Sequence, residues 1–128
     1  MFTNQTRSTI ACAVILLVQA DVAFAASNNK GKLEGTKWES KAATFDGVAV
    51  PAGIIKLDFS KNENLLFRIA DKIYKGTYEL GEGDEVTFSF EEELDGEKVH
   101  VETITIRSDT LIVIDDDGVS ISFDRAKR

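Results

Sequence analysis

Lys72-Ile-Tyr-Lys-Gly-Thr-Tyr-Glu-Leu80 is followed, across Gly81-Glu-Gly-Asp84, by Glu85-Val-Thr-Phe-Ser-Phe90. In the first stretch Tyr74, Gly76, Tyr78 and Leu80 alternate with Lys75, Thr77 and Glu79. In the second, Val86, Phe88 and Phe90 alternate with Thr87, Ser89 and Glu91. A period of two turns one set of side chains to a core and the other to water, which is the signature of a strand. The Gly/Asp cluster between them tolerates turn geometry. The two stretches therefore read as antiparallel neighbours.

The same texture continues on both sides. Ile55, Leu57 and Phe59 alternate with Lys56 and Asp58, as do Leu65, Phe67 and Ile69 with Leu66 and Arg68, and Val119, Ile121 and Phe123 with Ser120 and Ser122. Asn62-Glu63-Asn64, Ser108-Asp109 and Asp117-Gly118 supply further turns, and Asp95-Gly96 is a strong two-residue hairpin signal. The spacing predicts strands over 36–43, 53–60, 64–70, 72–80, 85–94, 97–107, 110–115 and 119–126. Consecutive short strands joined by tight turns favour an all-β fold, a small up-and-down antiparallel β-barrel of about eight strands.

Three places depart from this simple pattern. Between Val99-Val101 and Ile104-Ile106 the apolar parity switches, which a β-bulge near Glu102-Thr103 or a strand shared between two parts of the sheet would explain. Leu111-Ile112-Val113-Ile114 is apolar on both faces, as in a strand covered on both sides. Phe45 to Gly53, with Gly47 and the single proline Pro51, reads as a lid or crossing loop.

The N-terminus reads as an export signal. Arg7 is followed by the apolar run Ile10 to Val18 and then by Ala23-Phe24-Ala25, the small-x-small pattern of a cleavage site. The run is about half the ~20 residues of a membrane-spanning helix. The expected organisation is a signal peptide over 1–25, a flexible lead-in over 26–32 and one barrel domain over 33–128, with no stable membrane anchor after cleavage. The single cysteine, Cys12, falls in the segment to be removed and sits too early in it for a lipidation signal. The mature chain therefore has no disulfide, thiolate metal site or cysteine nucleophile. It must be stabilised by its core alone.

The formal net charge is −7, with the cations scattered along the chain. No basic patch interleaved with aromatics is present, so nucleic acid is not expected as a partner. The single histidine, His100, lies in a strand, and no serine lies on a recognisable nucleophile turn. One histidine without cysteine argues against a transition-metal site. Glu91-Glu92-Glu93 reads as a strand leaving the core. Asp115-Asp116-Asp117-Gly118 superficially suggests a calcium loop, but the EF-hand register would put the first ligand on Val113. A solvated hairpin tip is the better reading. No catalytic residue, metal or cofactor is assigned.

Trp38 falls in the first strand and Arg125 in the last. In a closed barrel these strands are neighbours, so Arg125 is expected over the indole, closing one end by a cation–π contact.

Several of these segments resemble small secreted bacterial lipocalin-like, or calycin-type, domains of uncharacterised function. They are Leu-x-Gly-Thr-x-Trp at Leu33 to Trp38, Lys-Gly-Thr-Tyr-x-Leu at Lys75 to Leu80, and Glu-Thr-Ile-Thr-Ile at Glu102 to Ile106. Leu-x-Phe at Leu57 to Phe59, Leu-x-Val-x-Asp-x-Asp-Gly at Leu111 to Gly118 and Phe-x-Arg at Phe123 to Arg125 complete the set. The resemblance spans Leu33 to Lys127 and implies a small calycin-type barrel. It transfers no catalytic residue.

An eight-stranded barrel is either filled by its own side chains or holds one small ligand. The expected function is a non-enzymatic binding module, monomeric and secreted or periplasmic, for a small apolar ligand. Phe45, Val50, Tyr74 and Tyr78 are placed at the barrel mouth. The alternative is an interaction or inhibitor domain that captures an exported protein through its N-terminal arm.

Overall fold

The computed structural model describes residues 26–126; the expected signal peptide, with Cys12, lies outside the described residues. The alternating runs form β1 (Thr36–Ser40), β4 (Ile55–Phe59), β5 (Asn64–Ile69), β6 (Lys72–Leu80), β7 (Glu85–Leu94), β8 (Glu97–Arg107), β9 (Thr110–Ile114) and β10 (Ser120–Arg125). These eight make a closed antiparallel barrel in the order β1-β10-β9-β8-β7-β6-β5-β4. Apart from the β1–β10 seam, each pairing joins barrel strands that are consecutive along the chain. The architecture is compatible with the lipocalin-like fold that the strand motifs resemble.

The expected loop at 45–53 is different. Ala43–Phe45 (β2) and Val48–Val50 (β3) pair as a separate two-stranded sheet. Asp46 and Gly47 both take positive φ, 50° and 80°, the backbone of a two-residue hairpin turn. The first barrel strand accordingly ends at Ser40 rather than 43. Asp95 and Gly96 adopt the same positive-φ pair between Leu94 and Glu97, as their sequence predicts.

The meander gives the barrel two unlike ends. One end carries the N-terminal segment and the β4–β5, β6–β7 and β8–β9 connections. The other carries the β2–β3 hairpin and the β5–β6, β7–β8 and β9–β10 connections. The first end is sealed. Trp38 is completely buried, and its indole N–H donates to Thr36 Oγ1 at 2.8 Å, whose hydroxyl donates to the Leu33 carbonyl at 2.6 Å. Arg125, the register partner of Trp38, holds its guanidinium carbon 4.4 Å from the indole centroid. An exposed Asp109 carboxylate lies 3.3 Å from Arg125 Nε.

The lead-in over 26–32 was expected to be flexible. The structure docks it against the same end instead. Ser27 forms a parallel bridge with Gly83, and the Asn28 N–H donates to the Gly83 carbonyl at 2.8 Å. Asn29 is only 2% exposed and donates its side-chain amide to the Ile104 carbonyl at 3.0 Å, while the Ile104 N–H donates to Asp84 O at 2.8 Å. β8 outruns β7 at this end, and Asn29 supplies the partner that the ladder lacks. Leaving that buried carbonyl without a partner would cost about 1–3 kcal/mol.

From the sealed end an aromatic column runs up the interior. Phe59 meets Tyr78 edge-on at 5.1 Å and Phe88 at 6.1 Å; Phe88 meets Phe90 at 6.1 Å, and Phe90 meets Phe67 at 5.7 Å. Gly76 pairs with Phe90 on the adjoining strand, where a Cβ would collide with the Ser89 carbonyl. The absence of a side chain lets β6 and β7 approach closely beside the ring column.

Candidate functional site at the open end

The aromatic column stops short of the other end and leaves a cavity of about 420 Å³ that opens to solvent. Phe67, Phe88, Phe90, Ile55, Val113 and Ile121 are among the side chains forming its walls. Its upper part is polar. Asp95 and Glu97 reach it from the β7–β8 turn, His100 and Glu102 from β8, and Asp115, Asp116 and Asp117 from the β9–β10 loop. Among the described residues no lysine or arginine lines it.

His100 and Glu102 are there because of strand parity. The expected bulge near Glu102-Thr103 does not occur. Glu85↔Thr103 through Ser89↔Val99 is one unbroken register, and so is Thr103↔Ile114 through Arg107↔Thr110. The register shift lies instead between Ser89 and Leu94 of β7. With Ile104 buried, alternation sends Glu102 and His100 inward, and it leaves Val99 and Val101 outside at 54% and 47% exposure. Pairing with both neighbours fixes the face of a strand for its whole length. It outweighs the preference of two valines for the interior.

The geometry brings these polar groups together. Continuing the β8–β9 register one pair beyond Thr103↔Ile114 sets Glu102 beside Asp115. Burial pushes the Glu102 carboxyl up to about 7; the His100 imidazole pulls it down, and Asp115 and Asp116 push it further up. The His100 ring lies 5.9 Å from Phe90, ending the aromatic column, and its Nε2 is 2.9 Å from the Glu97 carbonyl oxygen. Asp115 also shapes its own loop, because Oδ1 accepts the Asp117 N–H at 2.9 Å and the Val119 N–H at 2.8 Å. Asp115, Asp116 and Asp117 each place one carboxylate oxygen within 4.8 Å of the others. Lys72, a cation at this same end, is held by Glu92 at 2.7 Å, and the hydrogen bond with Glu92 raises its pKa.

The four residues assigned to the mouth from sequence do not converge here. Phe45 and Val50 belong to the β2–β3 hairpin and line no part of the cavity. Tyr74 packs on Phe90 at 6.2 Å but lies outside the lining, with Lys72 Nζ 5.4 Å from its ring centroid. Tyr78 is buried toward the sealed end, where burial raises the pKa of its hydroxyl. His100, Glu102 and Asp115, the polar core of the cavity, had no site role in the sequence reading. The available signal was the parity of β8 counted back from Ile104.

No family model, curated protein or solved structure matches this chain.

Proposed function

We propose that this chain is a binding module that admits one small, largely apolar ligand through the open end of its barrel. The observation that carries the reading is a cavity of about 420 Å³ with aromatic walls in a barrel whose opposite end is sealed. That volume lies within the range of about 300–1,000 Å³ typical of small-molecule sites. Carboxylates and one imidazole line it, and among the described residues no hydroxyl, thiol or amine side chain does. On the sequence reading the mature chain works as a monomer outside the cytoplasm, in the periplasm or secreted, and without a cofactor. The kinship with lipocalin-like domains supported by its strand motifs fits the same role. The rival reading is capture of an exported protein by the N-terminal arm, of which Asn28 and Asn29 bond to the barrel.

The test is saturable binding of the apolar fluorophore N-phenyl-1-naphthylamine to the mature chain. Ile121→Trp places an indole in the cavity, so it is expected to weaken binding by about ten-fold or more while the barrel stays folded. Equal binding by the folded variant would put the fluorophore elsewhere and overturn the reading.

A further inference from the structure

We infer that the cavity selects an organic monocation, an amine with an apolar tail, whose ammonium sits beside Glu102 and Asp115 while the tail lies against the Phe88–Phe90 floor. The inference rests on the binding reading above and names the ligand class of that site. Three independent features of the open end lead to it.

The first is the sign of the lining. Six carboxylates face the cavity or its rim and no lysine or arginine does, among the described residues. Elsewhere the barrel mixes its charges: Lys37 meets Asp58 at 3.8 Å, Lys41 meets Asp124 at 3.5 Å, and Lys72 meets Glu92 at 2.7 Å. In this cavity the acids have no basic partner in the lining among the described residues. A concave site of one sign with low-dielectric walls concentrates its field and draws in the opposite charge.

The second feature is depth. Glu102 lies below the rim, half-buried, on the inward face of a strand whose next inward residue, Ile104, belongs to the core. A carboxyl in that position is poorly solvated, and an ammonium brought beside it replaces the lost water. An exposed acidic tip has no such need.

The third feature is the floor. Phe88 and Phe90 line the same cavity as the carboxylates, so a ligand must offer apolar surface as well as charge. A bare metal ion would satisfy the acids and leave the floor empty. A neutral lipid would satisfy the floor and leave the acids desolvated. A carboxylate-bearing lipid would meet six charges of its own sign.

The site is pH-sensitive in one direction. The groups facing Glu102 are His100 on its own strand, Asp115, Asp116 and Asp117 from the β9–β10 loop, and Asp95 and Glu97 from the β7–β8 turn. Bound ammonium favours the ionised carboxylate, so affinity for an amine rises as pH increases through the Glu102 value of about 7.

The experiment displaces N-phenyl-1-naphthylamine from the mature chain with decylamine, decanol and decanoate, which share one tail and differ in head charge. Decylamine is expected to compete at a concentration lower than decanol by about ten-fold, with decanoate weaker than both. Glu102→Gln is expected to erase most of that advantage, read as a fall in the ratio of decylamine to decanol affinity. In the unmodified chain the decylamine-to-decanol ratio should grow from pH 5.5 to pH 8.5, where an alkylamine with a pKa of about 10.4 stays charged. Equal displacement by amine and alcohol would overturn the charge selectivity and leave the cavity reading standing. Loss of saturable fluorophore binding would remove both. Suppression of the amine advantage by millimolar calcium, with saturable thermal stabilisation, would assign the acids to a divalent ion and also overturn the inference.

Discussion

The two ends of this barrel are built from the same strands and treat polar atoms in opposite ways. At the sealed end the indole of Trp38 and the amide of Asn29 are each drawn inward and each given a hydrogen-bond partner. At the open end Glu102 is drawn inward against its own solvation, and no hydrogen bond from the described residues contributes to its pKa. Polar groups of the first kind stabilise a fold, because their desolvation is offset. A group of the second kind opposes the fold and is tolerated where something else is to be bound. The comparison separates residues retained for folding from those available for function, with no homologue needed.

Substitution should expose that asymmetry. Trp38→Ala removes the largest fully buried side chain at the sealed end and is expected to cost about 3–5 kcal/mol, read as the shift of the guanidinium midpoint. A smaller loss would mean that the seal collapses around the gap. Asn29→Ala leaves the Ile104 carbonyl without its side-chain donor and is expected to cost about 1–2 kcal/mol, with accelerated hydrogen exchange over residues 26–32. No change would show that the lead-in is bound by its backbone alone.

Glu102→Gln should act with the opposite sign. The folded-state carboxyl is raised from 4.5 to about 7, so the stability it contributes is complete below pH 4.5 and is lost as pH climbs to 7. After allowance for solvent screening of a half-exposed group, the variant is expected to be more stable than the parent by about 1 kcal/mol at pH 8. At pH 4 the two should melt together. A destabilised variant at pH 8 would mean that Glu102 has a structural partner, and would dissolve the contrast between the ends.

Most of the barrel was legible in the sequence because period-two alternation and turn chemistry agree along most of its length. Asp95-Gly96 is the clearest example: the dipeptide, its φ angles and the Leu94↔Glu97 pairing all tell one story. The β2–β3 hairpin was equally readable, since Asp46-Gly47 is the same signal between two short β-prone runs; the proline and glycines that follow it drew the reading toward a loop. The site was not legible, for a physical reason. Assigning faces by hydrophobicity presumes an apolar interior, and the interior of this barrel is polar toward its open end. In β8 that presumption reads a parity switch between Val99-Val101 and Ile104-Ile106, whereas strand pairing keeps one parity, leaving the two valines outside and His100 and Glu102 inside. The docking of Asn29 was hidden for a different reason, because the need it meets arises from the register in which β8 runs past the start of β7.

The seam between β1 and β10 also has a consequence for how the chain folds. The other pairings join strands close in sequence and can form as local hairpins, or follow shortly after them. The seam must bring together Trp38 and Arg125 from opposite ends of the domain. Its loop-closure entropy is the largest in the molecule, and nothing rewards it until the intervening sheet has curled. Closure is therefore the late step of folding. The cation–π contact at 4.4 Å acts as a clasp across the last gap to shut. The same gap is the natural place for the barrel to begin to open.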